Sequence, residues 1–248
     1  VKDGVRRWDA RAGDYARYRP SYPGELIDAI LDGMGPPEML RVIDVGAGTG
    51  ISSRLFVERG ARIIAVEPNA EMRAKARASG LDVRDAHADA LGLPDASADV
   101  VACFQAFHWF ANPESVRELL RVLRPGGRLA IVFNERDDND PFTRAYGAVV
   151  DNMADRMAIA GYRNGSELVR RLLVDGGLQN LRLQSFAHSQ RLDFDGLMGR
   201  LRSTSYAPRE GPEHAAMLER VNRAFETYNT EGEINFAFRT DVYLGERA

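Results

Sequence analysis

From residue 40 to residue 134, short apolar runs rich in β-branched residues alternate with stretches whose apolar positions recur every three or four residues. Runs of the first kind are Leu40–Val45, ARIIAVE at 61–67, a brief run inside LDVRDAHAD, Asp99–Phe104 and Arg128–Asn134. Near-continuous apolar character over five to seven residues is the pattern of a strand buried on both faces. The intervening helical spacings follow Ile51, span AEMRAKARAS, and cover Pro113–Leu123. Strand–helix alternation predicts an α/β fold with a mostly parallel sheet and helices on both faces. Right-handed crossovers place the loops after the strands on one side of that sheet. Before this block, Leu26, Ile27, Ile30 and Leu31 form a helical stripe closed by Gly33, Gly35 and two prolines. After residue 135 the rhythm changes: Phe142–Gly161, Ser166–Gly176, Phe194–Arg200 and His214–Glu226 read as helices. Leu181–His188 and 234–244 read as two further strands.

The phrase VIDVGAGTG at 42–50 joins the first strand to the next helix through a glycine-rich turn. Gly46 and Gly48 allow backbone conformations closed to other residues, and Gly50 permits close helix packing. Amides at a helix start favour a carboxylate or phosphate. A dinucleotide fingerprint needs G-x-G-x-x-G, and the place of its third glycine is taken by Ile51. This disfavours a nicotinamide oxidoreductase. Asp44 either meets a ligand or orders the turn. Glu67 stands 21 residues after Gly46 at the end of the second strand, where a carboxylate can accept two hydrogen bonds from ribose hydroxyls. Pro68 and Asn69 follow it, so a helix-capping role is the other reading. Asp89 follows the third strand and either reads a base amino group or stands in solvent.

Composition narrows the class. The 248 residues are 44% hydrophobic and 28% charged, with 33 basic and 36 acidic side chains. A net charge of −3 gives no support for a nucleic-acid footprint. Cys103 is the single cysteine, which excludes an intrachain disulfide and a thiolate-rich zinc site and suits a reducing cytoplasm. The four histidines show no spacing that demands a metal, and no apolar run is long enough to cross a bilayer.

VIDVGAGTG, AVEPNAEM, HADALGLPDASADVV, CFQAFHWF and LRPGGRLAI, in that order, resemble the class I S-adenosylmethionine-dependent methyltransferases. The resemblance covers about residues 15–134. It is closest to the small-molecule branch that includes the ubiquinone/menaquinone biosynthesis and trans-aconitate methyltransferases. It implies a Rossmann-like sheet of seven strands with the last antiparallel, and S-adenosylmethionine as cofactor. It assigns Asp44, Gly46, Ala47, Gly48 and Gly50 to the methionine portion and Glu67, with Pro68, to the ribose. Met72, Ala88, Asp89 and Ala90 are assigned to the adenine, and Phe104 and Gln105 to the reaction centre. No Asp/Asn-Pro-Pro-Tyr/Phe phrase follows the fourth strand, which turns the expectation from nucleic-acid or protein amides toward a small molecule.

FQAFHWF at 104–110 packs four aromatics and His108 into seven residues that enter the crevice at the sheet edge. These rings either surround a sulfonium cation or bury against cover helices. His108 is a candidate general base or a positioning group, and Trp109 a candidate acceptor contact. Tyr15, Tyr18 and Arg19 lie in a Tyr/Arg-rich segment that resembles a cofactor-covering lid; Tyr18 is a second candidate catalytic residue. Arg144, Arg202, Ser205 and Tyr206 are candidate acceptor contacts. The expected organisation is a lid at 1–34 and one methyltransferase domain at 35–248, with helical insertions near 138–178 and 193–230. The expected activity is methyl transfer to a small organic molecule such as a carboxylic acid or hydroxyl compound, in a cytoplasmic monomer or homodimer. A non-catalytic cofactor-binding protein is the alternative.

Overall fold

Every residue of the strand Ala98–Phe104 is buried, because layers of helix cover the sheet on both sides. The computed structural model describes residues 17–153, 165–204, 208 and 210–248. In chain order these form α1 Gly24–Leu31, β1 Arg41–Val45, α2 Ile51–Val57, β2 Arg62–Val66, α3 Ala70–Ala78 and β3 Val83–Arg84. Next come β4 Ala98–Phe104, α4 Pro113–Val122, β5 Leu123–Arg136, α5 Pro141–Met153 and α6 Gly165–Asp175. The chain closes with β6 Leu178–Asp193, α7 Phe194–Arg202, α8 Gly211–Tyr228 and β7 Glu233–Arg247.

The seven strands lie in the order β3-β2-β1-β4-β5-β7-β6. Pairings from β3 across to β5 are parallel. β7 runs antiparallel to both β5 and β6, as the family resemblance implies. The glycine turn leaves β1 beside β4, where the strand order reverses. That is the position at which open α/β sheets bind ligands.

Alternation along the strands builds two cores. Ile43, Val45, Val101, Cys103, Leu129 and Ile131 face α4 and α6, meeting Val116, Leu119 and Leu173. Val42, Val100, Ala102, Ala130 and Val132 face the other way, onto Leu26, Ile27 and Ile30 of α1 and Phe56 of α2. A third cluster joins α5, α7 and α8 to the first half of β7 through Phe142, Tyr146, Leu197, Met217, Val221, Phe236 and Phe238. β7 therefore serves two layers with one face: Ile234, Phe236 and Phe238 belong to the cover, Val242 and Leu244 to the core under α1.

Two arginines fix α1 from outside it. Arg59 donates to the Gly24 carbonyl (2.7 Å) and to the Asp28 carboxylate (2.5 Å). Arg128 donates to the Ile30 and Asp32 carbonyls at 3.0 and 2.7 Å, satisfying acceptors that a helix end leaves open. Residues 24–31 are thus a covering helix of the sheet. Of the expected lid at 1–34, the described part over the crevice is 17–22. No helix among the described residues is long and apolar enough to cross a membrane.

Candidate active site

The turn after β1 is built by glycines with positive φ: +75° at Gly46, +59° at Gly48 and +81° at Gly50. A Cβ on Gly46 would stand 2.5 Å from the Ala106 methyl, and one on Gly50 would stand 2.3 Å from Leu81. These positions therefore require glycine for both conformation and space. The amides expected to face a ligand are engaged within the protein. Gly46 and Ala47 donate to the Val66 carbonyl at 2.8 and 3.1 Å, and Gly50 donates to the Ala47 carbonyl at 2.9 Å. Gly48 donates to Glu67 Oε2 at 2.8 Å. The turn is a rigid cradle clamped to β2.

Two carboxylates lie behind this cradle. Asp44 is fully buried. Its Oδ2 accepts the Ser52 and Ser53 hydroxyls, both at 2.6 Å, and its Oδ1 is buried without a hydrogen-bond partner. Burial pushes its pKa up to about 6, with the two hydroxyls opposing. Glu67 accepts the Gly48 and Asn69 amides, one on each oxygen, at 2.8 and 2.7 Å. Each oxygen keeps capacity for a second donor. Burial raises its pKa, against the pull of those amides and of Arg73. Asn69 caps α3 by accepting the Met72 amide at 2.9 Å, which seats the buried Met72 side chain under the same edge. Pro68 is half-buried between them.

On the other side of the crevice, Gln105 takes a left-handed conformation (φ +49°) immediately after β4 and donates from Nε2 to the Asn134 carbonyl at 2.7 Å. The Phe104 ring packs edge-on against Tyr22 and Phe56. Phe107 is fully buried, Trp109 is exposed, and the His108 and Trp109 rings lie 4.9 Å apart. Burial, reinforced by the charge of Arg19, lowers the His108 pKa to about 4. The imidazole is neutral near pH 7 and is a weak base.

The segment 18–22 is strapped over this edge. Gln190 of β6 donates to the Tyr18 carbonyl (3.3 Å), Asn134 to the Ser21 carbonyl (3.4 Å), and Arg19 to the Ser203 carbonyl (3.2 Å). The Tyr18 ring lies on Gly199 of α7, where a Cβ would come within 2.3 Å of it. Beneath the strap is a cavity, in part open to solvent. Predicted residues Arg19, Gly46, Ala47, Phe104 and Gln105 line it.

Other predicted residues fall elsewhere. Ala88 is buried in the core facing α4, while Asp89 and Ala90 are exposed on the turn after β3. Arg144 is exposed and donates to the Asp138 carbonyl, and Arg202 is exposed at the end of α7; neither lines the cavity. Tyr15, Ser205 and Tyr206 lie outside the described residues. The cavity instead gathers Tyr22, Asn134, Phe238 and Arg200. The signal for Arg200 was its place in the stripe Leu197, Arg200, Leu201, an i, i+3, i+4 pattern in which a cation interrupts apolar residues.

The methyltransferase-domain family matches residues 43–131. An uncharacterized methyltransferase of Schizosaccharomyces pombe is 30% identical over 98% of this chain and 97% of its own. A tRNA 5-carboxymethoxyuridine methyltransferase of Escherichia coli is 33% identical over 51% of this chain and 49% of its own. A solved methyltransferase from Anaeromyxobacter dehalogenans superposes with a TM-score of 0.63 at 23% identity, covering 93% of this chain and 97% of its own.

Proposed function

Because this chain belongs to the class I S-adenosylmethionine-dependent methyltransferases, we propose that its acceptor is a small organic molecule taken into the cavity beneath residues 19–22. The observation that carries this reading is the cavity itself. It joins Tyr22, Phe104 and Phe238 to Gln105, Asn134 and the glycine turn at the carboxyl edge of the sheet, the mixed aromatic and polar lining of a small-molecule site, and the strap and α7 narrow its approach.

The residues present fit the cofactor. Asp44 keeps one buried oxygen without a partner, able to accept from an ammonium group. Gly46, whose Cβ would strike the Ala106 methyl, lets the turn pack close against the loop after β4. Glu67, already oriented by two amides, retains acceptor capacity for vicinal hydroxyls. Gly48, Gly50, Pro68 and Met72 complete that edge, with Gln105 and His108 across from it. The bound cofactor supplies a methyl carbon already activated by a sulfonium charge. The protein's remaining work is alignment and exclusion of water, with reacting atoms about 3–3.5 Å apart. Gln105, locked to β5 through Asn134, and Phe104, wedged between Tyr22 and Phe56, form a stiff wall for that purpose. His108, uncharged near neutrality, orients a neighbour by hydrogen bonding and adds no positive charge beside the sulfonium.

Calorimetric titration with S-adenosylhomocysteine tests the foundation, and a mass screen for gain of one methyl group tests the acceptor class. Binding followed by methylation of small molecules is expected. Transfer to bulk tRNA and to no small molecule would replace this reading with an RNA acceptor, the substrate in the name of the Escherichia coli relative. Binding without any transfer would point to a non-catalytic role.

A further inference from the structure

The first turn of α2 sends two serines in succession into the interior: Ser52 is 3% exposed and Ser53 is fully buried. A buried hydroxyl needs a hydrogen-bond partner to offset its desolvation, and both find the same one. Their Oγ atoms donate to Oδ2 of Asp44 at 2.6 Å each, the length of a bond to an ionised oxygen. The other carboxyl oxygen, Oδ1, is buried and has no partner. Ser52 also lines the cavity beside Gly46 and Ala47, so the cluster borders the space that a ligand enters.

The surroundings of Asp44 leave these hydroxyls alone against the cost of burial. The titratable groups that feel its charge are Glu67 at the end of β2 and Cys103 of β4, and it raises the pKa of both. Arg54, the cation of α2, is directed elsewhere, donating to the Thr49 carbonyl and the Ser79 hydroxyl. Among the described residues the two serines are what oppose the upward pull of burial on the Asp44 pKa. Each favours the charged form, because a carboxylate accepts more strongly than the neutral acid. Both converge on Oδ2, so a proton taken up by Asp44 goes to Oδ1. An ammonium group would donate to that same atom. Proton and ammonium therefore compete for one acceptor.

On the cofactor reading above, in which Asp44 accepts from the ammonium group, we infer that Ser52 and Ser53 are positioning residues: they keep Asp44 ionised and reserve its Oδ1 for the cofactor, so that cofactor capture is gated by the ionisation of Asp44. Binding then weakens on the acid side as a proton occupies Oδ1. Its midpoint lies near the Asp44 pKa of about 6, and each pH unit well below that lowers affinity about tenfold. A hydrogen bond to a charged group is strong enough that losing one hydroxyl moves the midpoint up by about one pH unit or more.

The experiment titrates the full chain calorimetrically with S-adenosylhomocysteine and with 5′-methylthioadenosine, at intervals from about pH 5 to about pH 8.5. The second ligand keeps the adenosine and lacks the amino-acid portion. Glu67, at the ribose, affects both ligands, so the ratio of their affinities isolates Asp44. In the parent this ratio should fall about tenfold from about pH 7 to about pH 5. Ser52→Ala and Ser53→Ala should each lower it about fivefold or more at about pH 6, with recovery by about pH 8.5. A merely structural serine would weaken both ligands alike and leave the fall where the parent has it. A parent ratio that does not change with pH overturns the inference, and an alanine variant with the parent's profile overturns the role of that serine. Where a ligand binds too weakly for a ratio, the ligand-free chain decides. Its unfolding free energy declines with rising pH up to the folded pKa of Asp44, about 6 in the parent, and that end point should stand about one unit higher in each alanine variant. An unmoved end point overturns the inference. Failure of the parent to bind S-adenosylhomocysteine at any pH overturns the cofactor reading instead.

Discussion

At the scale of single residues, the most constrained group is Asp44. Its pKa is raised from 3.8 to about 6 by burial, so the folded state holds the proton more tightly than the unfolded chain. The associated stability is complete below 3.8 and is lost as pH rises through 6, amounting to about 3 kcal/mol. Asp44→Asn carries no such titration. Relative to the parent, its unfolding free energy should therefore improve by about 1.5 kcal/mol between roughly pH 5 and 7.5, measured by denaturant titration at each pH. A parallel pH dependence in both proteins would show that Asp44 does not titrate there. His108 runs the other way: with a pKa near 4 it does not change charge across the working range. His108→Asn should lower kcat/KM by about tenfold through lost positioning and leave the shape of the pH profile unchanged. Loss of a limb near 6–7 in that variant would assign the imidazole a general-base role. Gly46→Ala meets both a positive φ and the Ala106 methyl, and should cost about 2 kcal/mol or more in thermal or chemical denaturation.

Between elements, the informative contact is that of the strap with α7. Gly199 is helical, so alanine there would ordinarily stabilise by about 1 kcal/mol. Its Cβ would strike the Tyr18 ring at 2.3 Å. Gly199→Ala should thus displace the strap and weaken S-adenosylhomocysteine binding, and should become neutral or stabilising in a Tyr18→Ala background. A double-mutant cycle with no coupling between the two sites would contradict this seat. Elements were legible in unequal measure. The buried parallel strands β1, β2 and β4 announce themselves by continuous apolar runs, and their observed bounds differ from the expected ones by about a residue. β6 was expected at Leu181–His188 and runs Leu178–Asp193. It is an edge strand whose alternate side chains face solvent, and polar residues such as Arg182, Gln184 and Ser185 hide the pattern. β5 was expected at Arg128–Asn134 and begins at Leu123, because PGG continues the strand through a register shift beside Ala98.

For the whole molecule, the half of the site written in one stretch was readable: the glycine turn, Glu67 and Gln105 follow strands in order. Arg200, Phe238 and Asn134 were not, since they meet only when strands far apart in sequence come together. Their single trace was a cation in an apolar stripe. The same long-range architecture has a consequence for how the molecule melts. β7 lends its early aromatic residues to the cover and its late aliphatic ones to the layer under α1, so the two cannot loosen independently while that strand keeps its register. Heating should give one heat-absorption peak whose calorimetric and van't Hoff enthalpies agree, and two resolved peaks would show that the cover parts first. The last strand works as a hinge pin common to roof and floor: the roof over the reacting atoms stays only while the floor stands.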